Sequence, residues 1–155
     1  PTLDAGGRPT GAEVIATADV RSLTRTTTNA AGQATGRDDY ASLAGTTYTA
    51  AAVALGVAGA NYLHTAQDYD KRGRPNRTVT PDGVITRHVY DGLGRVVGEW
   101  VGTDDTPTTG YWSPTNPAGM ALVRTYEYDG GGVGDGRLTA VSEFVGVPFV
   151  PQVTR

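Results

Sequence analysis

A six-residue pattern, Tyr-Asp-x-x-Gly-Arg, occurs twice in this sequence and limits its fold more than any other feature. The two copies begin at Tyr69 and Tyr90, 21 residues apart. An Asp at the first turn position accepts hydrogen bonds from the backbone N–H groups that follow it. A Gly three residues later takes up the left-handed conformation that closes a type I turn in a hairpin. Each copy therefore predicts a tight turn between two antiparallel strands.

The remaining positions of the pattern also have structural roles. The Tyr ends the incoming strand, where its ring can cover a cross-strand neighbour. The Arg begins the outgoing strand close to that Tyr and Asp, which predicts an ion pair or a stacked ring. The turn residues of the two clean copies are Tyr69, Asp70, Gly73, Arg74, Tyr90, Asp91, Gly94 and Arg95.

Three further copies depart from the pattern. The third unit begins at Tyr128 and Asp129 and reaches Gly136 and Arg137 only after a glycine-rich extension. Two eroded copies lie upstream: Leu3–Arg8 keeps the Asp and the Gly-Arg pair, and Thr28–Gln33 keeps only the spacing, with Asn for Asp. The chain is therefore a repeat with insertions.

The composition agrees with a chain of hairpins. Its 22 Gly and 9 Pro residues separate β-branched stretches, which favours many short strands. A further turn is predicted at Thr80–Gly83, and loosely alternating faces favour a curved sheet with a partly wet interior. In the fourth strand, Leu122, Arg124, Tyr126 and Tyr128 are expected to share one face. The predicted strands are Arg74–Thr80, Val84–Tyr90, Arg95–Val101, Leu122–Tyr128 and Leu138–Val145.

Charge and cysteine content exclude several classes of function. The net charge of −3 and the pI of about 5.2 give no basic field for nucleic acid. The sequence has no cysteine, which excludes disulfides, thiolate zinc sites and cysteine nucleophiles. The apolar run Ala50–Ala60 is too short to span a bilayer, so membrane insertion is not expected. Whether residues 41–62 form a short helix or a loop stays open.

The residues with catalytic potential have simpler explanations. His64 and His88 are interpreted as ordinary residues on the faces of strands. Asp104 and Asp105 are adjacent and would point apart on a strand or turn, which predicts a solvated loop. The glycine-rich run Gly131–Asp135 occurs once, whereas glycine-rich calcium sites need stacked copies. The sequence therefore predicts no catalytic residue, no metal site, no cofactor and no enzymatic activity.

The insertion Gly102–Met120 is the remaining candidate for ligand binding. It is polar, contains three prolines and displays Tyr111 and Trp112. Loops of this length usually bind something or are disordered, and aromatic residues are frequent at binding sites. The two rings are therefore candidate contacts for carbohydrate or protein. The alternative is that both rings hold the loop against the sheet.

The two clean units and the turn between them resemble the core pattern of RHS/YD-repeat proteins. The resemblance covers Asp68–Val101 closely, Thr125–Phe144 more loosely and residues 1–35 faintly. The amino-acid sequence from Tyr128 to Gly136 is similar to YD-repeat stretches in very large planctomycete-type proteins. In this family such repeats form a strip of hairpins that spirals into a hollow shell. The shell encloses a toxin in Rhs and toxin-complex proteins, and it supports adhesion in teneurins.

The resemblance implies a turn-forming role for the repeat residues and a place in a secreted or cell-surface protein. It does not imply self-cleavage, because the sequence lacks the Asp-Pro pair of the family's cleavage site. The chain starts at Pro1 and has its only Met at position 120, so we expect a piece of a longer protein. Its expected parts are degenerate repeats (1–67), two clean repeats (68–101), an insertion loop (102–121) and a third repeat with its tail (122–155).

Three functions are compatible with the sequence. The first is a structural scaffold segment of a bacterial YD-repeat shell, whose partners are the rest of the parent protein and an enclosed effector. The second is an adhesion module that binds glycans or proteins through the insertion loop. The third is an extracellular structure that assembles from copies of the chain through open strand edges.

Overall fold

The computed structural model describes residues 4–8, 20–46, 55–131 and 134–144. Apart from one 3₁₀ turn, Asp129–Gly131, all regular elements in these residues are β-strands, which confirms the all-β prediction. Strands that follow each other in the chain are neighbours in the sheet, and their described pairings are antiparallel. The strands are β1 (Leu23–Thr28), β2 (Ala34–Tyr40), β3 (Tyr62–Tyr69), β4 (Pro75–Val79), β5 (Ile85–Tyr90), β6 (Val96–Gly102), β7 (Met120–Tyr128) and β8 (Leu138–Glu143).

The chain divides into two compact units, residues 1–64 and 65–155, and β3 crosses the division. The five strands predicted from the sequence correspond to β4 to β8, with boundaries that agree to within two residues where the structure describes them. The predicted end of the last strand, Val145, lies outside the described residues, as do positions 50–54 of the Ala50–Ala60 run.

The Asp70 turn shows the hydrogen bonds that the repeat pattern predicts. The Asp70 N–H donates to the Arg74 carbonyl, and the Gly73 N–H donates to the Asp70 carbonyl, both at 2.9 Å. The Asp70 Oδ1 atom accepts from the N–H groups of Arg72 at 2.8 Å and Arg74 at 3.0 Å. Gly73 has a φ of 78°, the left-handed value that closes a three-residue hairpin loop.

The same backbone bonds recur at Asp91 and, in the first unit, at Asn29 and Asp4. At Asn29 the charged pair of the clean copies is replaced by two amides, since Asn29 Nδ2 donates to Gln33 Oε1 at 2.8 Å. Both eroded copies have therefore kept the turn. The first retains its acceptor in Asp4, and in the second the side-chain oxygen of Asn29 accepts the same backbone bonds.

Gly94 should tolerate alanine poorly, whereas its neighbour Gly92 should tolerate it well. Gly94 has a φ of 90°, where a Cβ costs about 1–2 kcal/mol, so Gly94→Ala should lower the free energy of unfolding by that amount. Gly92 has no positive φ, and a Cβ there would meet nothing within 4 Å. Urea unfolding followed by tryptophan fluorescence measures both variants. Equal losses of unfolding free energy in the two variants would contradict the requirement for a left-handed backbone at Gly94.

The core of the second unit lies on one face of its sheet. Ile85, Trp100 and Met120 are buried there, and Val79, Val89, Trp112 and Leu122 pack around them. Gly102 lets the insertion loop return closely over this face. A Cβ on it would lie 2.5 Å from the carbonyl oxygen of Gly119.

The predicted face of β7 is wrong, because a β-bulge changes its alternation. The register of β7 on β6 shifts between the Glu99–Arg124 pair and the Trp100–Leu122 pair, which leaves Val123 unpaired in this ladder. Glu99 and Trp100 are consecutive residues and point to opposite faces. Leu122 therefore packs in the core with Trp100, whereas Arg124 lies on the opposite face with Glu99.

In the first unit, Asn61 ties the segment before β3 to the end of β2. Its Oδ1 accepts from the Val57 N–H at 2.9 Å, and its Nδ2 donates to the carbonyls of Ser42 and Ala44 at 3.2 Å. The rings of Tyr40 and Tyr62 pack 5.0 Å apart beside it. Hydrogen bonds of the Asn61 side-chain amide thus hold together the two ends of this longer connection between β2 and β3.

Candidate functional site

Arginine and tyrosine side chains connect each Tyr-Asp turn of the second unit to the next one. The Arg74 guanidinium lies 4.3 Å from the ring centroid of Tyr90, and the Arg95 guanidinium lies 4.4 Å from that of Tyr128. Each tyrosine hydroxyl donates to the carbonyl of the residue after that arginine, at 2.5 Å for Tyr90 and 3.0 Å for Tyr128. We call these two repeated contacts the Arg–Tyr ladder. They place both tyrosines of the ladder between neighbouring hairpins.

The aspartates of these turns bind the same arginines. Asp70 pairs with Arg74 at 2.6 Å, Asp91 pairs with Arg95 at 2.7 Å, and Arg95 also reaches Asp129 at 2.8 Å. The arginine partner holds the pKa values of Asp70 and Asp129 below the ordinary range, and the backbone N–H and side chain of Arg95 do the same for Asp91. A general acid near neutral pH needs a raised carboxyl pKa. The pKa values of these three carboxyl groups are lowered instead, which suits them to stabilising the turns as ionised partners of the arginines.

The third turn departs from the first two. Asp129 has a left-handed φ of 58°, and its Oδ1 accepts from the Gly136 N–H at 2.7 Å across the glycine-rich extension. Arg137 pairs with Asp135 at 3.0 Å instead of with Asp129, and its side chain is 82% exposed. Gly132 and Val133, within the extension, lie outside the described residues.

The solvated-loop prediction holds for Asp104, which is exposed, but it is wrong for Asp105. The Asp105 side chain is only 8% exposed and lies over the core face of the sheet. Its Oδ2 atom accepts from Nε of Arg77 and Nε of Arg87, both at 2.6 Å, and its Oδ1 accepts from Nη2 of Arg77 at 3.2 Å. We call these three side chains the Asp105 clasp. It fastens the start of the insertion loop to β4 and β5.

The clasp exists because the register of β4 on β5 places Arg77 directly opposite Arg87. Two like charges across a strand pair repel each other, so a counter-charge between them stabilises the sheet. Burial by itself raises the pKa of Asp105, but its bonds to the two arginines outweigh burial and lower the pKa overall. Counting outward from the Thr80–Gly83 turn would have revealed the opposed arginines. No local pattern links them to Asp105, which lies 28 positions after Arg77 and 18 after Arg87.

The two aromatic residues of the insertion have different environments. Trp112 packs edge-to-face on Trp100 with ring centroids 5.9 Å apart, and the Arg87 guanidinium lies 4.5 Å from its ring centroid. Tyr111 is 93% exposed. Asn116 holds the loop around it by donating to the carbonyls of Thr109 at 2.9 Å and Tyr111 at 3.3 Å. Trp112 thus holds the loop on the sheet, while Tyr111 faces solvent on a tied turn.

The histidines lie on strands, as the sequence predicts. His88 is half-buried on β5, and His64 on β3 bonds through Nδ1 to Oδ1 of the buried Asp38 at 2.6 Å. The described residues contain no group of three or more acidic or histidine side chains that could hold a metal ion. No helix in the described ranges is long and apolar enough to cross a membrane.

Comparison with known proteins does not assign this chain to a family. A scan against protein-family models gave no match, and a search of the curated proteins found no similar sequence. Function is therefore inferred from the fold and the side-chain contacts.

Proposed function

We propose that this chain is a non-enzymatic scaffold segment of a large secreted or cell-surface YD-repeat protein. Successive hairpins build the wall of a β-shell, and the shell encloses an effector carried by the same parent protein. The observation that carries the proposal is the Arg–Tyr ladder. The same contact joins Arg74 to Tyr90 and Arg95 to Tyr128, so the same pair of side-chain types fixes each hairpin to the next.

The distribution of charge over the sheet supports a wall with one wet side. The face opposite the core carries Arg124, which pairs with Glu99 at 3.2 Å and with Glu143 at 2.8 Å. Tyr126 on the same face donates to Glu99 at 3.2 Å. A sheet with one packed face and one charged face can separate a packed layer from water, as the wall of a shell must.

Cryo-electron microscopy of a longer stretch of the parent protein tests the shell. We expect consecutive hairpins around a hollow interior, with the ladder contacts repeated along the strip. A solid sandwich of two packed sheets would contradict the proposal. Absence of ladder contacts between hairpins of a hollow particle would contradict the observation on which it rests.

A second candidate function, glycan or protein binding, is favoured by the exposure of Tyr111 on a tied loop. An exposed ring on a rigid turn contributes contact area at little entropic cost. On a glycan array, wild type and Tyr111→Phe should bind alike, whereas Tyr111→Ala should lose most of the signal. A blank array for wild type, or a signal unchanged in Tyr111→Ala, would argue against this function.

A further inference from the structure

His64 and Asp38 form a close side-chain pair in the first unit, apart from the Arg–Tyr ladder and the Asp105 clasp. The Nδ1 atom of His64 on β3 lies 2.6 Å from Oδ1 of Asp38 on β2. The Asp38 side chain is 10% exposed, whereas the His64 side chain is 47% exposed. A buried carboxylate therefore holds one nitrogen of a half-exposed imidazole ring.

The contact with Asp38 decides which ring nitrogen of His64 carries the proton. An ionised carboxylate only accepts hydrogen bonds, so Nδ1 donates and the lone pair of the neutral ring stays on Nε2. Arg25 lies directly opposite Asp38 on β1, which places a positive charge beside the carboxylate. No residue of the described ranges forms a hydrogen bond with Nε2. The unprotonated nitrogen of the ring is therefore the one that Asp38 leaves uncovered.

Gly36 leaves space beside this edge of the ring. It lies two positions before Asp38 on the same face of β2, and Thr27 lies opposite it on β1. A Cβ on Gly36 would lie 3.0 Å from Cε1 and 3.8 Å from Nε2 of His64. The same Cβ would lie 2.6 Å from Oγ1 of Thr27. The ring therefore lies over a stretch of backbone that has no side chain, and a larger residue there would press against it.

We propose that Nε2 of His64 is a nucleophile that accepts acyl groups from activated donors such as anhydrides and thioesters. Its lone pair attacks the carbonyl carbon, and the bond from that carbon to the leaving oxygen or sulfur breaks. The leaving group departs with the electron pair and takes up the Nδ1 proton through water, so the products are an acylimidazole and the protonated leaving group. Asp38 is a positioning residue, which stabilises the positive charge on the ring before that proton leaves.

Acylation fits this pair of side chains better than metal binding. A protein metal site needs three or four ligands, and the described residues contain no group of three or more acidic or histidine side chains that could supply them. An acyl donor needs only the lone pair of Nε2 and a path to it. The reaction takes one acyl group per chain without turnover, so it goes beyond a non-enzymatic scaffold and is compatible with it.

Diethyl pyrocarbonate, an anhydride that acylates unprotonated imidazole nitrogens, tests the site in the full chain. His88, the other histidine of the sequence, is the internal comparison, because no carboxylate of the described residues bonds to its ring. The reaction is run at about pH 8, above the ordinary histidine pKa of about 6.5. Mass spectrometry of tryptic peptides should show that His64 is modified about tenfold faster than His88.

Substitution of the carboxylate separates its effect from that of exposure. Asp38→Asn should slow the modification of His64 about tenfold, because loss of the carboxylate behind an imidazole typically costs about 10–100-fold in activity. Asp39→Asn is the matched control and should leave the rate unchanged. Asp39 points to the other face of β2, where it pairs with Arg37 and accepts a hydrogen bond from Thr24.

Nitrogen-15 NMR of the histidine rings checks the geometry without any substitution. At the same pH, His64 should show a protonated Nδ1 and an unprotonated Nε2. A protonated Nε2, equal modification rates of His64 and His88, or a His64 rate that Asp38→Asn leaves unchanged would each overturn the proposal. The NMR spectrum and the comparison with His88 use the unaltered chain, so they decide the question even if Asp38→Asn does not fold. None of these measurements depends on the shell proposal, which has its own imaging test.

Discussion

Asp105→Asn should lower the free energy of unfolding by about 3 kcal/mol. The substitution removes the negative charge that lies between Arg77 and Arg87 and leaves two opposed positive charges on neighbouring strands. Breaking a buried ion pair by removing one partner costs about 3–5 kcal/mol. The lower end applies because the two arginine side chains are 24% and 16% exposed.

The neighbouring carboxylate gives a matched control. Asp104 is exposed and forms no ion pair within the described residues, so Asp104→Asn should change the stability by less than about 0.5 kcal/mol. Urea unfolding followed by tryptophan fluorescence separates the two variants. Both tryptophans of the chain, Trp100 and Trp112, lie in the second unit and report on it. Equal midpoints for wild type and Asp105→Asn would contradict the clasp.

The same substitution should flatten the loss of stability in acid. The pKa of Asp105 is lowered in the folded state, so its stabilising contribution is fully present above its unfolded pKa of about 4. That contribution is lost as the pH falls through the lower folded value. Wild type should therefore lose stability below about pH 4 faster than Asp105→Asn does. A steeper loss in the variant would contradict the direction of the shift.

Trp100→Ala should be at least as damaging, with a loss of about 4 kcal/mol. The Trp100 side chain is 3% exposed and packs with Ile85, Met120 and Trp112, so its removal leaves a large cavity under the insertion loop. Truncation of a buried tryptophan costs about 3–5 kcal/mol. Urea unfolding followed by the remaining tryptophan measures this loss. A loss below about 1 kcal/mol would contradict the packing.

The second tryptophan provides the comparison. Trp112 is only partly buried, so Trp112→Ala should cost less than Trp100→Ala. Because the rings touch, the double variant should differ from the sum of the single ones by about 1 kcal/mol in a circular-dichroism unfolding cycle. Additive losses would mean that the two rings do not stabilise each other. Tyr111→Ala is the aromatic control and should leave stability nearly unchanged.

Local chemistry allowed the hairpins to be predicted before their contacts were known. The turn residues of the clean copies, such as Asp70 and Gly73, act through backbone bonds that close within five residues. Such bonds depend on residue type and spacing alone, which is why the strand boundaries followed correctly from the turns. The face of Arg124 was predicted wrongly because a bulge at Val123 leaves no mark in the alternation of residue types.

The insertion loop shows where prediction from the sequence stopped. Two adjacent aspartates and two adjacent aromatic residues offered no way to tell which member of each pair would be buried. Asp105 and Trp112 pack against the sheet because they contact Arg77, Arg87 and Trp100. These three residues are 12 to 28 positions away in the chain and come together only through the strand register.

The sequence by itself therefore determined the repeat, its turns and the all-β sheet, because each of these depends on interactions within a few residues. The tertiary structure decided the rest. It joined Arg74 to Tyr90 and Arg95 to Tyr128 across neighbouring hairpins, buried Asp105, and left Tyr111 and Arg137 in solvent. Those outcomes depend on which side chains a twisted, bulged sheet brings opposite each other, and that geometry involves the strands of the second unit together.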